Sequence, residues 1–137
     1  MIIKNTVGSV NFKINTKGMD DKLHKAQVYL DNRVLTDSNS FAAKKVGNLR
    51  QSGIEHTLLG SGIVCWSTIY AHYQYEGRVM VGKQSRRAWA MRGEPKEYNG
   101  NHLSYSQPGA RERWFEVAKK KYLKSWLNGV KKIFGRK

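Results

Sequence analysis

At 137 residues, with 39% apolar and 11% aromatic residues, the chain carries material for one modest core, and disorder throughout is not expected. Twenty-five Lys and Arg against ten Asp and Glu leave a net charge of +15 and a pI near 10.1. That excess opposes compaction and favours a polyanion or acidic neighbour: nucleic acid, an anionic membrane or acidic protein subunits.

A single cysteine, Cys65, excludes an internal disulfide. Its setting, Ile63-Val64-Cys65-Trp66, suits a small buried thiol. No apolar stretch approaches the roughly 20 residues that span a bilayer. The opening residues Met1-Ile2-Ile3-Lys4-Asn5-Thr6 lack a sustained apolar run, so synthesis in the cytosol is the expectation. The length suits one domain over 1–137, with a loop at 83–107 and a basic helical tail at 110–137.

Val10, Phe12 and Ile14 alternate with polar residues, which predicts a first strand with one apolar face. Lys17-Gly18 breaks it, and Asp20 or Asp21 is placed to cap a long helix. Met19, Leu23, Ala26, Leu30, Val34 and Phe41 recur at helical spacing, and Lys44-Lys45-Val46-Gly47 ends the run with Gly47 as a left-handed cap. Leu49-Arg50-Gln51-Ser52-Gly53 comes next, together with a β-rich middle. In it Leu58-Leu59 and Ile63-Val64-Cys65-Trp66 form a hairpin around Gly60-Ser61-Gly62.

Tyr70-Ala71-His72-Tyr73-Gln74-Tyr75-Glu76-Gly77 reads as a strand with Tyr73 and Tyr75 on one face and His72, Gln74 and Glu76 on the other. Such tyrosines suit either a core or an interface. Arg78-Val79-Met80-Val81 continues the sheet. Residues 83–107 are polar and aperiodic, a long loop with a short β excursion at Ala88-Trp89-Ala90-Met91. From Ala110 to Phe134, Phe115, Ala118, Tyr122, Trp126, Val130 and Ile133 line one helical face, with Gly129 weakening the last turns. Opposite them Arg113, Lys120, Lys124 and Lys131 recur at spacings of seven, four and seven.

Gly77-Arg78-Val79-Met80-Val81-Gly82-Lys83 begins like a phosphate-binding loop. However, Gln84 stands where a magnesium-binding hydroxyl is needed, and no helix pattern follows. His24, His56, His72 and His102 are far apart and contain no close ligand pair, so neither a metal nor a cofactor is expected. No pair of acids is spaced beside a nucleophile, which argues against an enzyme. The terminal stripe is purer in sign: from Arg111 onward ten bases face only Glu112 and Glu116. Lysines so placed attract DNA phosphates without reading bases, anchor on acidic subunits, or lie on a membrane through Trp114 and Trp126.

Three blocks in order carry a resemblance. Asp37 to Phe41 with Gly47-Asn48-Leu49-Arg50-Gln51-Ser52 resembles a helix-end block ending "T-G-x-L-R-x-S". Tyr70 to Gly77 resembles "Y-A-x-Y-Q-Y-x-G". Pro108-Gly109-Ala110 with Trp114-Phe115-Glu116-Val117-Ala118-Lys119 and Trp126 resembles a closing "A-x-x-x-W-F-E-x-A-K…W" helix. Ala42-Ala43 and Val46 depart from the usual residues. Spanning roughly residues 17 to 127, the chain resembles the minor capsid, or neck, proteins of tailed phages of Gram-positive bacteria.

The resemblance implies a non-enzymatic virion protein at the head–tail connector. The implied fold is α+β: a small antiparallel β-sheet packed with a long helix in the N-terminal half and a basic C-terminal helix. It also implies a ring of roughly six or twelve copies between portal or adaptor proteins of the head and the tail terminator or tail tube, continuing the channel for packaged DNA, with no membrane involved. In that setting Trp66, Tyr73, Tyr75, Trp89, Trp114 and Trp126 are candidate core or subunit-contact aromatics. Arg113, Lys120, Lys124 and Lys131 are candidates for an anionic surface, DNA or protein. The rival reading from composition is a free basic nucleic-acid-binding protein.

Overall fold

The computed structural model describes residues 2–7, 10–44 and 47–135. In chain order they form β1 (Ile2–Val7), β2 (Val10–Asn15), α1 (Lys17–Asn39), α2 (Asn48–His56), α3 (Ala71–Glu76), β3 (Arg78–Gly82), β4 (Lys96–His102) and α4 (Trp114–Ile133). The class is α+β, as expected, but the strands form two separate antiparallel pairs rather than one small sheet.

β1 and β2 pair from Ile2 opposite Asn15 to Val7 opposite Val10. β2 is the strand that the alternation predicts, while the side chains of Val10, Phe12 and Ile14 lie outside the described residues. β3 and β4 pair with Met80 opposite Tyr98 and Gly82 opposite Lys96, and a bulge interrupts the register between Arg78 and Met80. β3 is foreseen; β4 is not. The β excursion falls at Lys96–His102 instead of around Trp89; it pairs with β3, and Lys96-Glu97-Tyr98-Asn99-Gly100-Asn101-His102 is too polar to show an apolar face in sequence.

Helix α1 starts one turn earlier than expected. Thr16 stands at its N-cap, and Asp20 accepts a hydrogen bond from Thr16 Oγ1 (3.1 Å) within the first turn rather than capping the helix itself. α1 also stops earlier, at Asn39. The chain turns there through Phe41 N–H and Ala42 N–H, which both donate to Ser38 O, and Ala42 becomes fully buried. Gly47 does take the left-handed conformation (φ 80°), but as the entry to α2 rather than the end of α1; Lys45 and Val46 lie outside the described residues.

Leu49 to Gly53, which precede the expected β-rich middle, are helical. Leu49, Ser52 and Gly53 sit three and four residues apart and turn one buried face inward. Gly53 is fixed by packing: a Cβ there would lie 2.6 Å from Trp66 Nε1.

The tyrosine segment is likewise a helix, not a strand. Gly77 (φ 64°) ends α3 as a left-handed cap, its N–H donating to Tyr73 O at 3.0 Å. Helical spacing sets Ala71 and Tyr75 on the inner side, while Tyr73 faces away with its ring beside His72. The alternation of tyrosines mimics a strand, but the inward pair, buried Ala71 and half-buried Tyr75, is four apart. Similarly, no ladder joins Leu58-Leu59 to Ile63-Val64-Cys65-Trp66, so the expected hairpin is an irregular loop, and Cys65 is only half-buried.

α4 begins at Trp114, after a linker stitched to the body by backbone bonds. Leu103 N–H donates to Gly77 O, Arg111 N–H to Phe41 O and Arg113 N–H to Tyr75 O, each at 2.8 Å. Once started, α4 lies along α1. Trp126 Nε1 donates to Asp37 Oδ2 at 2.7 Å, and Arg33 pairs with the same oxygen. The expected fraying at Gly129 does not occur, since α4 runs on to Ile133 and the missing side chain makes room for the Tyr29 ring.

Candidate assembly surfaces

The three sequence blocks that carry the resemblance meet at one point. Trp114, 1% exposed, packs with Ala42, Leu49 and Ala71, and Phe41, Trp66, Tyr75 and Phe115 close around them. Its indole meets Trp66 edge-on with ring centres 5.7 Å apart, and Tyr75 at 4.8 Å. Burial first, then the nearby Glu116 carboxylate, pushes the Tyr75 hydroxyl above the usual phenolic pKa.

Arg50 ties the same blocks together from the rim. Its Nε and Nη2 donate to Ala42 O at 3.0 and 2.7 Å, and Nη2 also reaches Gln107 Oε1 at 3.3 Å. Asn39 bridges α2 and the following loop by donating to Arg50 O and accepting from Trp66 Nε1. Of the candidate aromatics, Trp66, Tyr75, Trp114 and Trp126 thus serve the interior. Tyr73 is half-buried, and Trp89 stands 84% exposed.

What remains outside falls into three surfaces. The first is the last turn of α2 with the loop that joins it to α3, where Ile54 on the helix and Leu58, Leu59, Ile63 and Ile69 on the loop are exposed, the last at 95%. Such a loop would ordinarily collapse or move, but a buried acid fixes this one. Asp31, 3% exposed, accepts from Gly60 N–H (2.8 Å) and Gly62 N–H (3.0 Å) through Oδ2, and from Gln27 Nε2 (2.7 Å) through Oδ1. Gly60 (φ 94°) has His24 and Val28 where a Cβ would sit, so the turn presses on α1. Cys65 N–H to Thr57 Oγ1 and Ser67 N–H to Ser52 Oγ brace the remainder.

The second surface is the tip between β3 and β4, where Trp89 and Met91 are exposed. Glu94 organises it by accepting from the N–H groups of Ser85 (2.6 Å), Met91 (2.8 Å) and Gln84 (2.7 Å). These bonds, Ser85 first, lower its pKa to about 2 against an ordinary 4.5. A carboxyl depressed on folding contributes stability above its unfolded pKa and loses it as pH falls through the folded value. Amide exchange at Ser85 and Met91 should therefore accelerate between about pH 4.5 and pH 2 relative to amides in α1, and Glu94→Gln should remove that pH dependence. An unchanged exchange ratio across the window would refute the assignment.

The third surface is the outward side of α4. Arg113 opens it in the left-handed region (φ 49°) and pairs with Glu76 (3.3 Å) and Glu116 (3.2 Å), which raise its pKa in that order. Lys120, Lys124 and Lys131 are exposed and hold no ion pair among the described residues. Leu123 and Leu127, 40% and 49% exposed, share this side. Trp114 and Trp126, the anchors that a membrane-lying helix would use, are buried against the body instead. Among the described residues no group of His, Cys, Asp and Glu is arranged to hold a metal ion, and no helix is long and apolar enough to cross a membrane.

A core built from all three blocks is a property of a whole fold, and the family comparison agrees. The family model described as "Minor capsid protein" matches residues 6–134. The chain belongs to the minor capsid protein family. No curated protein and no solved structure matches it. Membership makes it a structural protein of phage virions, from a family that is generally non-enzymatic.

For a minor capsid protein, the conspicuous sequence blocks turn out to be interior, while the surfaces free for assembly carry weaker signals. Asp31, Glu94 and the exposed leucines of α4 are missed by sequence reasoning. A Gly-Ser-Gly turn facing an acid on a helix is the one hint available, and it does not say which acid.

Proposed function

We propose that the chain is a connector subunit of a tailed phage, closing with identical copies into a ring at the joint between head and tail and continuing the channel for DNA. A closed ring repeats one heterologous contact, so each subunit needs two complementary patches and must present them rigidly. The observation that carries the reading is the apolar loop pinned by Asp31, in a chain whose family is virion-structural. Exposed apolar area of this kind, held in place rather than folded away, marks a protein contact. The net charge of +15 adds a reason for assembly through apolar contacts between copies, since like-charged subunits repel elsewhere.

Mass spectrometry of purified virions should find the chain, and a symmetry-averaged reconstruction should place it in a ring at the neck with the 57–70 loop against the adjacent copy. Absence from virions would sink the reading, as would tight DNA binding by the isolated protein whose logarithm falls steeply with that of salt concentration.

A further inference from the structure

Lys120, Leu123, Lys124, Leu127 and Lys131 recur at spacings of three and four, so they form one exposed face of α4. A recess beside it is lined by Glu116, Lys119, Lys120, Lys121, Leu123 and Lys124. We propose that this face docks an acidic, partly apolar surface of a different protein in the particle, a partner class that rests on the connector reading above.

The leucines decide against DNA. A phosphate backbone satisfies lysines but gives two exposed leucines at the centre of the face nothing to bury against. An anionic membrane is disfavoured because both tryptophans of the helix point into the body, leaving only Leu123 and Leu127 to insert. A second copy is disfavoured by the supply of acids. Among the described residues every Asp and Glu except Asp21 already accepts a hydrogen bond or ion pair within the chain. A foreign surface with carboxylates around an apolar centre matches the face in both respects, and such complementarity sets the partner and orientation.

The test places a photo-crosslinking residue on the face, Leu127→p-benzoylphenylalanine, in virions purified from cells expressing that variant, with crosslinked peptides sequenced. The expected product joins α4 to a segment of another virion protein that is net acidic. Crosslinks to DNA, to lipid or to a second copy overturn the inference, as does a crosslink to a net-basic segment or none at all. Two further variants are read by incorporation. Lys120→Glu with Lys124→Glu and Lys131→Glu, and Leu123→Ser with Leu127→Ser, should each lower the amount per particle about tenfold, as loss of about 1.4 kcal/mol implies. The α-helical circular dichroism should stay unchanged. Full incorporation of the leucine pair variant refutes the apolar half of the face. If the unsubstituted chain is itself missing from virions, the connector reading falls and takes the inference with it. If it is present and the crosslink or incorporation results fail, the inference falls alone.

Discussion

Trp114→Ala should lower the free energy of unfolding by about 3–5 kcal/mol, the largest loss expected from any single side chain here. Trp114 is 1% exposed, and its ring is wedged between the edges of Trp66 and Tyr75 with Ala42, Leu49 and Ala71 around it. These neighbours come from four separate segments, so no single shift fills the cavity. Against a typical total of roughly 5–15 kcal/mol the variant sits near the edge of folding, with a melting temperature roughly 10 °C or more lower. The indole N–H has no hydrogen-bond partner among the described residues, so Trp114→Phe loses volume but no bond and should cost about 1–2 kcal/mol. Trp89→Ala, at an exposed tip, should stay within about 0.5 kcal/mol. Urea unfolding followed by far-ultraviolet circular dichroism ranks the three. Equal losses for Trp114→Ala and Trp89→Ala would show that Trp114 is not the centre of the core.

That ranking is only partly readable from the amino-acid sequence. α4 and β3 follow from local periodicity, because Phe115, Ala118, Tyr122 and Trp126 repeat at helical spacing and Val79-Met80-Val81 is a short apolar run. α2 is missed and α3 is misread for a shared reason. Both are short helices whose buried faces are mostly small residues, Ser52 and Gly53 beside Leu49 in one and Ala71 in the other, so no repeat of large apolar residues appears. The tyrosines then supply a false alternation. β4 is missed because its neighbours are polar and its pairing depends on β3, not on its own sequence. Resemblance recovers what periodicity misses: each block contributes a wall of the Trp114 site, and only their joint presence reveals the fold. Surfaces fare worst, since exposure is decided by what the core leaves over. Leu123 and Leu127 lie off the apolar face that periodicity picks out, and they stay outward because Trp126 and Gly129 take the side against α1.

Asp31→Ala should cost about 2–4 kcal/mol and unfasten the 57–70 loop before the rest of the protein responds. One carboxylate oxygen takes both Gly60 N–H and Gly62 N–H, and the other takes Gln27. Bonds to a charged acceptor are each worth about 1.5–3 kcal/mol, and the donors abandoned in a buried site add their own desolvation penalty. Part of the loss returns because a freed loop hydrates its N–H groups, which is why the figure stays below the sum. Asp31→Asn keeps an acceptor of the same shape and should cost about half as much. Amide exchange separates the local from the global effect: Gly60 and Gly62 should lose protection in Asp31→Ala while Ala118 and Trp126 in α4 keep most of theirs. Because the loop carries Leu58, Ile63 and Ile69 at fixed positions, the same variant should enter virions poorly even at temperatures where it stays folded. Stability within 0.5 kcal/mol of the unsubstituted chain would show that Asp31 does not hold the loop. Normal incorporation despite lost protection at Gly60 and Gly62 would instead leave Asp31 as the fastening and remove the loop from the assembly contact.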